Sequence, residues 1–145
     1  GLRVGYALAS AETIGLLDRV RDSYNVNKLS QVAAGAALGD SVYYDAVIAR
    51  IKKTRDRWLA AWREQGWFIY DSAANFLFVE PRDAQGLIGS EVAASLFEYF
   101  KTRRILVRSF PSHALTAPFL RISVGTDDEM LAVDQAIQAW LKHDP

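Results

Sequence analysis

The sequence has 145 residues, half of them apolar, with 17 basic and 17 acidic side chains and no cysteine. That length suits one domain with a real core, and the cancelled charge leaves no global field to draw nucleic acid or a membrane surface. Without cysteine there are no disulfides, thiolate catalysis or thiolate-bound zinc, and His113 and His143 alone argue against a histidine metal site, so a cytoplasmic protein without metal is expected.

The chain opens GLRVGYALAS. Residues 2–8 read as an apolar strand interrupted by Arg3; such a strand needs neighbours on both sides, which suggests a piece of something larger. Ser10 can cap a helix whose Ile14, Leu17 and Val20 recur at helical spacing, ending near residues 21–23. The YNVN stretch at 24–27 breaks that pattern, and a second helix rich in small residues, Ala33 to Ala37, runs to Gly39. Asp40 or Ser41 then starts a long helix with Tyr44, Ile48, Ile51, Trp58 and Trp62 on one stripe and Gly66 as its stop. At 1.5 Å per residue it would reach roughly 37 Å, which reads as a connector between two lobes.

Beyond Gly66 the period shortens. Residues 67–70 and 75–79 read as strands, 90–103 as a helix carrying Val92, Leu96 and Tyr99, and 105–110 and 119–124 as two more strands. The chain closes with a helix opened by Thr126 and Glu129, a capping box in which each side chain satisfies a free backbone N–H, with Met130, Val133, Ile137 and Trp140 as the buried face. The fold class is mixed α/β. It divides into residues 1–39 (a strand and two helices), a long helix over 40–66, and a small domain of antiparallel sheet and helices over 67–145.

Two arginines carry the most information. If the segments ILVRSF and FLRISV form an antiparallel hairpin around the loop at 111–118, the symmetric register sets Arg108 directly opposite Arg121 on one face beside aromatic residues. Like charges so placed repel, unless a carboxylate or phosphate sits between them and takes hydrogen bonds from both planar forks. A slip of one residue would send them to opposite faces, and two solvated or salt-bridged surface arginines stand equally open. Arg3, in an apolar strand beside Gly5, could reach a phosphate or make an edge salt bridge, the latter being the better reading without further context. The run RIKKTRDR at 50–57 reads as a solvated helix face. Ser112 and His113 lack the third group and the oxyanion hole of a hydrolase. Asn25 and Asn27 read as helix caps rather than ligand contacts.

Taken in order, GLRVGY, RVRDSYNVN, ANFLFVE, ILVRSF and LRISVGT resemble the C-terminal part of the histidinol-phosphate aminotransferases, class I/II members of the fold-type I pyridoxal-phosphate enzymes. The resemblance covers essentially the whole chain. It implies that Arg3 of the GLR-x-GY motif contacts the phosphate of pyridoxal 5'-phosphate, that Arg121 of LRI-x-x-G-T binds the anionic end of the substrate, and that Arg108 assists with the substrate phosphate. The lysine that bonds the cofactor, and the aspartate that pairs its ring nitrogen, would fall ahead of Gly1. Lys28, Lys52, Lys53, Lys101 and Lys142 lie outside that motif, so no catalytic residue is assigned here and the chain alone is expected to be inactive. Residues 1–39 would close the large cofactor domain, and 67–145 would form the small domain.

The implied complete enzyme is a cytoplasmic homodimer in histidine biosynthesis, passing an amino group between histidinol phosphate and 2-oxoglutarate. Another class I/II aminotransferase, or a threonine-phosphate decarboxylase, would share Arg3 and Arg121. A non-catalytic α/β binding module would share neither role.

Overall fold

A computed structural model describes residues 2–143. The chain forms two compact units, Gly1–Val47 and Ile48–Pro145, with the division inside one helix.

In the first unit, helix α1 (Ala11–Val20) starts where expected, with Ser10 Oγ accepting from the Thr13 N–H at 3.2 Å. Helix α2 (Lys28–Gly39) is capped by Asn27, whose Oδ1 accepts from the Ser30 N–H at 2.8 Å. The strand expected over residues 2–8 does not form. A strand exists only by pairing, and the described strands all pair among themselves in the second unit. Ser30 is the one buried residue among those described in this unit, while Leu16, Leu17, Leu29 and Val32 stand exposed. Amphipathic helices of this length draw their stability from burying such faces, so these two make almost no core of their own.

Helix α3 (Ser41–Glu64) is the long helix read from the sequence. It ends in a Schellman motif: the Trp67 N–H donates to Trp62 O at 3.2 Å and the Gly66 N–H to Arg63 O at 2.9 Å, with Gly66 at φ +87°. From Ile48 onward α3 belongs to the second unit, into whose core it sends Trp58 and Trp62.

The second unit adds β1 (Phe68–Ile69), β2 (Phe76–Glu80), α4 (Ser90–Thr102), β3 (Arg108–Ser109), β4 (Leu120–Ser123) and α5 (Asp127–His143). The strands make one antiparallel sheet in the order β1-β2-β4-β3. Alternation puts Ile69, Leu77, Val79, Leu120 and Ile122 on one face, where they meet Trp58 and Trp62 of α3, Leu96 and Phe100 of α4, and Met130, Ile137 and Trp140 of α5. Each such aliphatic side chain contributes roughly 1.5–3 kcal/mol on burial. Two indole N–H groups inside this core find acceptors, Trp62 on Asp134 at 2.9 Å and Trp140 on Ser95 at 3.1 Å.

The strand expected over 105–110 shrinks to Arg108–Ser109. Its first residues are taken up in closing α4: the Ile105 N–H donates to Phe100 O at 2.9 Å and the Arg104 N–H to Lys101 O at 3.0 Å, a second Schellman motif with Arg104 in the left-handed region at φ +59°. The capping box of α5 forms as read, with Glu129 Oε2 accepting from the Thr126 N–H at 2.7 Å and Thr126 Oγ1 from the Glu129 N–H at 3.3 Å.

Candidate functional site

The second face of the sheet carries no aliphatic core. Phe76 and Phe78 of β2 and Arg121 of β4 share it, with Arg108 of β3 and the flanking Tyr70, Phe110 and Phe119. The ladder pairs Phe78 with Arg121 and Arg121 with Arg108. The symmetric register anticipated for the two arginines is therefore the one adopted.

Each guanidinium lies over an aromatic ring. Arg121 Cζ is 5.3 Å from the centroid of Phe76, and Arg108 Cζ is 5.2 Å from that of Phe110. The rings form a continuous wall: Phe78 stacks on Phe119 at 4.7 Å with an interplanar angle of 11°, and Phe110 meets Phe78 edge-on at 5.9 Å.

Between this wall and the loop at 70–74 opens a cleft of about 450 Å³, lined by that loop with Phe76, Phe78, Phe110 and Arg121. Arg121 lines the cleft, and its Nε is buried with no hydrogen-bond partner among the described residues. A cation with a buried, unpaired donor is costly, and an oxyanion in the cleft bound by the guanidinium's other N–H groups would offset its charge. Arg108 is exposed and does not line the cleft, although it is the cross-strand neighbour of the residue that does. Asp71, at the cleft's edge, has its Oδ1 2.8 Å from Arg63 Nη2, so its negative charge is offset beside the arginine cleft.

The loop wall is held from α3. Arg55 Nη1 donates to Ala74 O at 3.3 Å, and its Nε and Nη2 reach Asp56 Oδ1 at 2.9 and 2.8 Å. Arg63 Nε donates to Ile69 O at 3.2 Å, and its Nη2 reaches both Ile69 O and Asp71. Within the loop, Ser72 Oγ donates to Phe76 O at 2.7 Å and accepts from the Ala74 N–H at 3.1 Å.

Arg55 corrects the reading of the run at 50–57 as a solvated face, because it is only 8% exposed. It sits four residues after Ile51 and three before Trp58, so helical geometry turns it inward with that stripe while Lys52, Lys53 and Arg57 stay exposed. That spacing was the signal for it in the sequence.

Arg3 lies in the first unit, exposed, at φ +58° and with no hydrogen bond or ion pair among the described residues. Its neighbours Val4, Gly5 and Tyr6 border an open hollow of about 720 Å³ together with Asn25 and Gly35, which Arg3 does not line. His113 is exposed in the loop after β3, outside the cleft. No cluster of metal-ligating side chains occurs among the described residues, and no helix there is long and apolar enough to cross a membrane.

The chain is 39% identical over 138 residues to a histidinol-phosphate aminotransferase of Microcystis aeruginosa, which takes in 95% of this chain and 37% of that protein. It is 42% identical over 130 residues to a histidinol-phosphate aminotransferase of Syntrophotalea carbinolica, covering 90% of this chain and 35% of that one. The chain thus spans little more than a third of the length of these curated relatives. Among solved structures, the histidinol-phosphate aminotransferase of Sinorhizobium meliloti in complex with pyridoxal-5'-phosphate superposes with a TM-score of 0.74 at 24% identity, over 90% of this chain and 34% of that one. A putative aminotransferase of Burkholderia pseudomallei gives 0.65 at 26%, over 94% and 38%. The family model described as aminotransferase class I and II matches residues 1–138, and the chain belongs to that family.

Proposed function

We propose that this chain is the C-terminal part of a pyridoxal-phosphate-dependent aminotransferase that exchanges an amino group between histidinol phosphate and 2-oxoglutarate. The observation that carries the reading is Arg121, which lines an aromatic-walled cleft and whose buried Nε has no partner among the described residues. The identities of 37–42% to several histidinol-phosphate aminotransferases support it.

In this reading Arg121 receives the substrate's anionic end, its Nε buried and its guanidinium over the Phe76 ring. Arg108, opposite it on β3, adds a second cation toward the substrate phosphate. The wall of Phe78, Phe110 and Phe119 keeps water from one side of the bound molecule and strengthens those charged hydrogen bonds. Arg3 is exposed with no partner among the described residues, which fits a contact to the cofactor phosphate, and it sits beside Gly5, where backbone can approach closely. Pyridoxal phosphate, when bound, supplies the electron sink for bond breaking at the amino-bearing carbon. The resemblance places the proton-carrying lysine ahead of the GLR-x-GY motif, so the role proposed for this chain is binding and orientation.

The exposed apolar faces of α1 and α2 fit residues 1–39 as the end of a larger domain, with 40–66 as the connecting helix and 67–145 as the small domain. The complete protein is then a cytoplasmic homodimer. The test is glutamate formation from histidinol phosphate and 2-oxoglutarate by the full-length protein. Turnover with this donor well above that with aromatic amino acids is expected. Turnover with aromatic donors alone would replace the substrate assignment, and none with any amino donor would overturn the reading.

A further inference from the structure

We infer that Arg55 and Arg63 of α3 are positioning residues for the anion cleft, setting the place of one of its walls, the loop at 70–75, against Arg121. The inference rests on the cleft being a substrate site, and it extends that reading to two residues that do not line the cleft. The loop has no regular secondary structure of its own and separates β1 from β2, so nothing in the sheet ladder fixes its middle. The sheet holds only its outermost residues, with the Tyr70 N–H on Phe78 O at 3.4 Å and the Val124 N–H on Asn75 O at 2.8 Å, and α3 adds a hold near each end. Arg63 binds Ile69 O and Asp71 where the loop begins, and Arg55 binds Ala74 O where it ends.

The two arginines are eight residues apart, about 12 Å along the helix axis, which lets one rigid element span the loop. The Ser72 hydroxyl then locks the middle, between Phe76 O and the Ala74 N–H. Arg55 is the stiffer of the two clamps. It is almost fully buried and already oriented by Asp56 through two of its nitrogens, so little conformational freedom is lost when the third reaches Ala74 O. Arg63 contributes differently, because besides holding Ile69 O it offsets the Asp71 carboxylate, which would otherwise repel an anion in the cleft.

The experiment uses the full-length protein with Arg55→Ala, Arg63→Ala and Arg63→Lys. It reads amide exchange over residues 71–76, the Kd for inorganic phosphate, and KM and kcat for the phosphorylated donor. Arg55→Ala should speed exchange at Ala74 and weaken phosphate about tenfold, the equivalent of about 1.4 kcal/mol. KM should rise while kcat stays within a factor of about two, since the clamps act on where the substrate sits and on nothing that reacts. Arg63→Ala, at a half-exposed position, keeps the test open if Arg55→Ala does not fold, and Arg63→Lys should recover part of the phosphate affinity by restoring the charge. Unchanged exchange and unchanged phosphate affinity in the folded variants would overturn the clamp. An inactive wild type whose Ala74 amide is still deprotected by Arg55→Ala would uphold the clamp and sink the proposed reaction instead.

Discussion

Arg108 and Arg121 are Cα partners across the β3–β4 ladder, two cations set directly opposite each other on the aromatic face of the sheet. A sheet selected for stability alone would not keep that pair, since opposed like charges cost on the order of 0.2–1 kcal/mol. Each ring beneath a guanidinium softens the repulsion without removing it.

The pair therefore predicts a trade. Without ligand, Arg108→Gln should raise the unfolding midpoint of the chain slightly, by a few tenths of a kcal/mol at low ionic strength, with the gain shrinking as salt screens the pair. With phosphate present the order should reverse, because the wild type gains more from the anion. All four tryptophans lie in the core of the second unit, so their fluorescence in a urea titration reads this directly. A loss of stability in Arg108→Gln at low salt without phosphate would count against the strained pair.

Arg104 supplies a second test. It holds the C′ position of α4 at φ +59°, where a Cβ costs roughly 1–2 kcal/mol and glycine costs less, although glycine loses more freedom on folding. Arg104→Gly should stabilise the second unit by roughly 0.5–1 kcal/mol in the same titration. A destabilised variant would mean that the Arg104 side chain makes a contribution larger than the backbone relief.

The start of α5 depends on pH. Hydrogen bonds from the backbone N–H and then the hydroxyl of Thr126 hold the Glu129 carboxyl below its usual value. The ionised form is the one that caps, so the cap is intact above the unfolded-state value near 4.3 and is lost as pH falls through the lower folded value. Amide exchange at Thr126 should rise in that acid window and nowhere near neutrality. A Cβ at Gly125 would come within 2.5 Å of Glu129 Oε2, so Gly125→Ala should displace the carboxylate and abolish the acid dependence. Thr126→Ala should cost about 1 kcal/mol, the usual value of an N-cap side chain.

The features legible in the sequence are those set by local chemistry or by symmetry. Ser10, Asn27, Gly66 and the Thr126–Glu129 box announced helix ends because the same side chains make the same caps in most contexts. The opposition of Arg108 and Arg121 followed from a symmetric hairpin, and the ladder has that register. The strand at 2–8 failed because strand formation is decided by a partner that the segment itself does not encode. Arg55 is hard to read from the sequence because five basic residues in a run look solvated, whereas its inward turn is set by a phase relationship with Ile51 and Trp58. The unpartnered Nε of Arg121 and the loop wall facing it are tertiary facts, invisible until β2, β4 and α3 are brought together.

If Arg121 holds the substrate's anionic end as proposed, its removal shows in kcat/KM for histidinol phosphate in full-length Arg121→Ala. Truncating one partner of a desolvated charged pair costs about 2–5 kcal/mol. At about 1.36 kcal/mol per decade, that is a roughly thirtyfold to several-thousandfold loss. Arg121→Lys should recover only part of it, since the ammonium keeps the charge without the fork. Arg108→Ala should be milder for donors without a phosphate than for histidinol phosphate. Near wild-type kcat/KM in a folded, cofactor-bound Arg121→Ala protein would mean that Arg121 does not hold the anionic end of the substrate.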